Sequence, residues 1–207
     1  MTTPPPQQRR SLSRRTLLLG GLGALAAIGV PTTIALTRPP SLPLSATLTG
    51  HNSEVYSVAF SPDGETLATG GYESTVRLWD VASRKTIAAL NHPHGVRSVA
   101  FSSDGETLAT GGRDKSARLW DVAGRNIVAT LTGHTSWVTS VAFSPDGITL
   151  ATSSADKSVK LWDVAGRNTV ATLTGHTEEV FSVAFSPDGE TLATGSGDNS
   201  AKLWPTR

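Results

Sequence analysis

Val141-Ala142-Phe143-Ser144-Pro145-Asp146-Gly147 carries an apolar run into a segment with the composition of a tight turn. Three further copies flank it, at Val58–Gly64, Val99–Gly105 and Val183–Gly189. Their phenylalanines, Phe60, Phe101, Phe143 and Phe185, are 41, 42 and 42 residues apart, and a Leu-Trp pair keeps step at Trp79, Trp120, Trp162 and Trp204. Gly-His precedes three units, at Gly50-His51, Gly133-His134 and Gly175-His176, whereas the second unit has Asn91-His92. A fixed period near 42 residues means one supersecondary unit repeated in space.

Working outward from the turn, each unit reads as short strands. In the first, Val55–Phe60 is a strand, Ser61–Gly64 the turn, Thr66–Gly70 a second strand and Thr75–Trp79 a third. A fourth, Thr86–Leu90, follows the polar turn at Ala82–Lys85. Four strands of this length form an antiparallel sheet that cannot bury both faces alone, so neighbours must stack, and radial stacking gives an all-β propeller.

Across residues 46–207 these motifs resemble the WD-repeat family: Gly-His, Ser-Pro-Asp-Gly, Leu-Ala-Thr-Gly, a turn Asp and Leu-Trp-Asp, in four copies at about 46–80, 87–121, 129–163 and 171–204. The resemblance implies four blades of four strands, and in each blade a hydrogen-bonded set of His, strand Thr, turn Asp and Trp. The sets are His92, Thr110, Asp114 and Trp120 in the second unit, His134, Thr152, Asp156 and Trp162 in the third, and His176, Thr194, Asp198 and Trp204 in the fourth. The first unit offers His51, Thr69 and Trp79 with Glu73 at the Asp position, where the longer side chain is expected to disturb the set. Without its partners each such buried group costs about 1–3 kcal/mol.

His, Thr and Asp together invite comparison with a catalytic triad, but catalysis needs one constellation and this one recurs in every unit. The sets are therefore expected to be structural. The Asp-Gly pairs are turn chemistry and lack the carboxylate density of a Ca²⁺ loop. No Walker, zincin or dinucleotide motif is present, so neither a cofactor nor a metal site is expected. The non-repeating histidine is His94, beside Pro93 in a loop. A propeller enzyme with a channel active site would need a richer set of unique residues.

Positions at which near-identical units differ are those the fold does not dictate. Of twelve aromatic residues, eight are the repeat Phe and Trp; the others are Tyr56, Tyr72, Trp137 and Phe181. Tyr56 and Phe181 share one repeat position, filled by Arg97 and Thr139 in the other units. Tyr72 precedes Glu73, and its counterpart in the second unit is Arg113. In the WD-repeat family these loops form the rim that binds partners, and Tyr, Trp and Arg are the types that anchor interfaces. Tyr56, Tyr72, Arg97, Arg113, Trp137 and Phe181 are thus candidates for binding a protein or peptide.

Residues 1–45 hold five arginines and no acid, and the remainder has 13 basic against 17 acidic side chains. A body of that balance lacks the basic surface that drives nucleic-acid binding. Cysteine is absent, which removes disulfides and thiolate sites. Thr16–Thr37 is an uncharged run of 22 residues, long enough for a membrane-crossing helix. Ser13-Arg14-Arg15-Thr16-Leu17-Leu18 in front of it resembles a twin-arginine export signal, with Arg14 and Arg15 as the pair. Read instead as the positive flank of an anchor, it still exports the C-terminal body. Residues 1–37 are expected to be signal or membrane anchor, and 38–45 a Pro-rich linker.

Closure of the ring has several solutions. Ala46–Thr49 matches the fourth-strand sequence and could complete the last blade. Two chains could exchange that strand in a swapped homodimer with eight blades, or the chain could be part of a longer parent. The leading expectation is an exported or membrane-anchored, non-catalytic interaction scaffold. The alternatives are a propeller enzyme with a channel active site, or a truncated partial paralogue that needs oligomerisation to close its ring.

Overall fold

A computed structural model of the chain describes residues 45–206, so the expected signal, hydrophobic helix and most of the linker lie outside the described residues. The first repeat forms β1 (Val55–Phe60), β2 (Thr66–Gly71), β3 (Thr75–Asp80) and β4 (Lys85–Asn91). The second forms β5 (Val96–Phe101), β6 (Thr107–Gly112), β7 (Ser116–Asp121) and β8 (Asn126–Thr132), and the third β9 (Val138–Phe143), β10 (Thr149–Ser154), β11 (Ser158–Asp163) and β12 (Asn168–Thr174). The fourth comprises β13 (Val180–Phe185), β14 (Thr191–Ser196) and β15 (Ala201–Pro205). Strands pair antiparallel in chain order within each sheet, as short hairpin connections require. Among the described residues no helix is long and apolar enough to cross a membrane.

The hairpin between the first two strands is locked by its own residues. Ser61 Oγ donates to Asp63 Oδ1, Asp63 Oδ1 accepts from the Glu65 N–H, and Gly64 N–H donates to the Ser61 carbonyl. Equivalent bonds recur at Ser102, Ser144 and Ser186, so the turn closes identically with or without proline.

The hydrophobic cores lie between blades. Ala68, Val76, Leu78 and Leu90 of the first pack with Val96, Val99, Leu108 and Trp120 of the second. The same pairing joins Leu119 and Leu131 to Val138, Val141 and Leu150, and Leu161 to Val180, Val183 and Leu192. Burying a Val or Leu side chain contributes about 1.5–3 kcal/mol, and here most of that gain requires a neighbouring blade. The first strands pack serially, β1 on β5, β5 on β9 and β9 on β13.

Two expectations need correction. The fourth sheet has three strands among the described residues. Ala46–Thr49, which could have completed it, forms no strand and lies against the first blade, where Ala46 and Leu48 line a groove with Phe60, Leu67 and Trp79.

Candidate functional site

Two loops per blade build the rim, one leading into the first strand and one joining the second strand to the third. Buried polar sets tie them together. In the third blade the Asp156 carboxylate accepts from Thr135 N–H at 2.9 Å and faces His134 Nδ1 at 2.8 Å. A carboxylate only accepts, so Nδ1 carries the proton; His134 Nε2 then accepts from the Thr152 hydroxyl at 2.8 Å, and Thr152 accepts from the Trp162 indole at 2.8 Å. Burial works against the Asp156 charge, but Ser158, the Thr135 N–H and His134 outweigh it and lower its pKa to about 2. The fourth blade repeats the chain through His176, Asp198, Thr194 and Trp204.

The first and second blades reverse what the sequence leads one to expect. Glu73 takes the Asp role without disturbance: it meets His51 Nδ1 and accepts from Asn52 N–H at 3.1 Å, while Thr69 joins His51 and Trp79 at 2.6 and 2.8 Å. The set expected around His92 is not formed. Trp120 still donates to Thr110 at 3.0 Å, but His92 Nδ1 turns to the His94 carbonyl and Nε2 accepts from Arg118. Asp114 pairs with Arg118 at 2.6 Å.

The cause is local. Where the other blades present a backbone N–H after the histidine, the second has Pro93, which has none. The other blades also precede the histidine with Gly50, Gly133 or Gly175 at φ of +147° or +148°, a conformation that favours glycine and that Asn91 does not adopt. Burial, then the neighbouring Arg118 cation, pushes the His92 pKa down to about 4.

Directly before each turn carboxylate stand Tyr72 and Arg113, so the polar sets place them. Tyr72 N–H donates to the Glu54 carbonyl and Arg113 N–H to that of Gly95, closing each loop on the entry to the first strand. At the second position of each first strand, Tyr56, Arg97, Thr139 and Phe181 all fall where the pairing with the next strand skips a residue. Such bulges re-aim a side chain, and here they turn four equivalent positions toward one end of the blades.

The outcome is a ladder. The Arg97 guanidinium lies 4.8 Å from the Tyr56 ring centre and 5.4 Å from Trp137; Arg113 lies 4.3 Å from Trp137 and 4.8 Å from Tyr72. Five of the six candidates therefore form one stack, Tyr56–Arg97–Trp137–Arg113–Tyr72, across three blades. Each contact contributes about 0.5–1 kcal/mol at an exposed site. Gly95 makes room for it, since a Cβ there would sit 2.6 Å from the Tyr72 carbonyl oxygen and 3.2 Å from Arg113 Cδ. Phe181 stands outside the stack but lines one cleft with Tyr56, Arg97 and Trp137.

Thr139 and Glu179 complete that cleft and were not singled out in the sequence. Only their repeat positions, equivalent to Arg97 and Trp137, mark them. Thr139 bonds to Ser153 at 2.9 Å and to the Val180 carbonyl, so its hydroxyl is tied into the wall. His94 is exposed, with Nδ1 on the Pro93 carbonyl.

The family model described as the second beta-propeller of echinoderm microtubule-associated protein matches residues 55–207. Shorter stretches are similar to curated proteins: 48% identical over 56 residues to the B-type cell cycle switch protein ccs52B of Medicago truncatula, covering 27% of this chain and 12% of that one. The small ribosomal subunit protein RACK1 of Glycine max is 46% identical over 48 residues, 23% of this chain and 15% of that protein. The vegetative incompatibility protein HET-E-1 of Podospora anserina is 54% identical over 37 residues, 18% of this chain and 3% of its own length. The matches thus span a small fraction of each of these relatives.

Proposed function

Because the chain belongs to the family of the second β-propeller of echinoderm microtubule-associated proteins, and its blades are WD repeats, we propose that it is a non-catalytic scaffold that binds a protein or peptide through the Tyr56–Tyr72 ladder. The observation that carries this reading is the ladder itself. Residues that differ between otherwise equal blades are stacked on one another at one rim, partly exposed, with both guanidinium groups already held in place.

Stacking occupies the faces of Arg97 and Arg113 and leaves their N–H edges to donate. The partner this suits presents carboxylates or backbone carbonyls to the edges and an apolar side chain to the cleft beside Phe181. Preorganised side chains lose little entropy on binding. The buried His-Thr-Asp sets support a structural role, since each hydroxyl and ring nitrogen is engaged with its neighbours. In the same reading residues 1–37, with Arg14 and Arg15, export the propeller or anchor it to the membrane.

Affinity capture from the cell envelope tests the rim, comparing the intact chain with the triple variant Tyr72→Ala, Arg113→Ala, Trp137→Ala and with an Ile148→Ala surface control. The expected result is a partner retained by the intact chain and the control and lost from the triple variant, which stays folded with a melting temperature lowered by the loss of three stacking contacts. A partner kept by the triple variant, or a triple variant that only unfolds, sinks the rim. Arg14→Lys with Arg15→Lys should leave the protein in the cytoplasm; unchanged export rejects the twin-arginine reading.

A further inference from the structure

The three interfaces between blades use the same two faces each time, and the row of blades exposes one of each. On the side of a blade that receives its predecessor, Val99, Val141 and Val183 are 5%, 5% and 6% exposed, whereas the equivalent Val58 is 61% exposed. Val55 and Phe60 beside it are exposed too. On the side that meets the following blade, Leu78, Leu119 and Leu161 are 1%, 1% and 6% exposed, and the equivalent Leu203 is 73%. A Cβ added at Gly70 or Gly111 would collide with Val96 or Val138 of the next blade, at 2.7 and 2.6 Å; at Gly195 it would meet nothing within 4 Å.

The strands show the same complementarity. Among the described residues the sheet β13-β14-β15 has an open edge at β15, where β8 and β12 complete the sheets before it. Ala46-Thr47-Leu48-Thr49-Gly50-His51 repeats the sequence at and just after the ends of β8 and β12, Ala129–His134 and Ala171–His176. It already lies over Phe60, Leu67 and Trp79, on the face of the first blade that corresponds to where Leu90 packs against Leu108 and Trp120 of the second. It therefore occupies the place of the fourth strand of a preceding blade whose other three strands would be those of β13-β14-β15.

We infer that two copies of this chain join head to tail into a closed eight-bladed ring, in which each copy's β13-β14-β15 sheet packs on the other's β1 and takes the other's Ala46–Thr49 as its fourth strand. The occupant is a second copy because both halves of the interface are present in one chain and have the composition that this chain uses three times internally. The register follows from the third blade, where Leu161 faces Ala171, Lys160 faces Thr172 and Val159 faces Leu173. By equivalence Leu203 faces the second copy's Ala46, Lys202 its Thr47 and Ala201 its Leu48. Ser57 and Ser98 accept from the N–H of Val99 and Val141 across two of the three formed interfaces, both at 3.1 Å, and Ser182 takes the equivalent place opposite the second copy's Val58 N–H. The proposal is independent of what the rim binds.

The test uses the full-length chain in mild detergent. Sedimentation equilibrium should give twice the chain mass. Val58→Asp and Leu203→Asp should each shift the protein to monomer with its β-sheet circular dichroism retained. An equal mixture of the two should regain dimer, because the intact Leu203 face of one variant meets the intact Val58 face of the other. The chain has no cysteine, so Thr47→Cys with Lys202→Cys provides a clean covalent trap: oxidation should join two chains. A monomeric parent overturns the proposal, as does a dimer indifferent to Val58→Asp, a disulfide within one chain, or failure of the pair to oxidise.

Discussion

The second and third blades have the same strand order and equivalent interblade cores, yet their buried histidines are wired differently. In the third, a one-directional chain runs from the Trp162 indole through Thr152 and His134 to Asp156, which the Thr135 N–H also supports. In the second the chain is cut between Thr110 and His92, and Arg118 stands between the histidine and Asp114. One missing backbone donor at Pro93 separates the two. A carboxylate that cannot have the N–H takes a guanidinium, and the guanidinium, being a donor, makes the histidine nitrogen it meets an acceptor. Both arrangements hold the rim loop in place, so Tyr72, Arg113 and Trp137 stack across blades that solve the same problem differently.

The largest break in this comparison comes from the threonines. Thr152→Val removes a hydroxyl that serves both His134 and Trp162, and two buried groups left without partners cost about 2–6 kcal/mol. Thr110→Val strands only the Trp120 indole, so its cost should be about 1–3 kcal/mol. Urea unfolding of the two variants measures the difference. Equal losses would mean that His134 and Thr152 are not coupled as their geometry indicates.

Acid separates the blades next. His92 is held at about 4, below the ordinary 6.5, so the unfolded chain binds a proton in this range that the folded chain refuses. Its contribution is whole above 6.5 and is lost as the pH falls toward 4, amounting to about 2 kcal/mol between pH 7 and 5 at 1.36 kcal/mol per unit. Asp156, lowered from 3.8 to about 2, acts in a later window: its contribution is whole above 3.8 and fades toward 2. Midpoints of urea unfolding against pH should therefore begin to fall below 6.5, where His92 and His134, whose pKa burial also lowers, both resist protonation, and His92→Gln should reduce the slope between 6.5 and 4. A variant curve parallel to the parent's would show that another group governs that window.

Much of this was legible in the sequence because it is local. The turn residues Ser61–Gly64 fix a hairpin by bonds among themselves, and the spacing of Phe101, Phe143 and Phe185 and of Trp120, Trp162 and Trp204 repeats because each packs at a repeated interface. The rim candidates were legible because nothing in a blade requires Tyr56, Arg97 or Trp137, so their departure from the repeat stood out. What brings them together was not. The bulges that aim Tyr56 and Phe181 come from the pairing of two strands, and the room for the Tyr72–Arg113 stack comes from Gly95, which in sequence is one more loop glycine. Glu73 was expected to fail and does not, because its carboxylate still reaches both His51 and the Asn52 N–H. Pro93 was in plain view, but its consequence falls on Asp114, 21 residues away in the chain, and shows only when the two loops are seen side by side.

If the missing donor is the cause, restoring it should rewire the blade. Asn91→Gly with Pro93→Thr returns the Gly-His-Thr sequence of the third and fourth blades and supplies an N–H at position 93. Asp114 should then accept it, His92 Nδ1 should leave the His94 carbonyl for Asp114, and Arg118 should withdraw from Nε2. Supplying an N–H to Asp114, whose buried Oδ1 now lacks a partner, in exchange for the Arg118 contacts changes stability by only about 1 kcal/mol, the smallest of the three effects. The decisive readout is the histidine: with its cationic neighbour gone and a carboxylate on Nδ1, His92 should titrate above its present value of about 4, as seen in its ring proton resonances. Pro93→Thr alone, with Asn91 still unable to take the glycine conformation, should move that titration less. If neither variant moves it, Arg118 dictates the wiring, and the absent N–H is a consequence of that arrangement and not its origin.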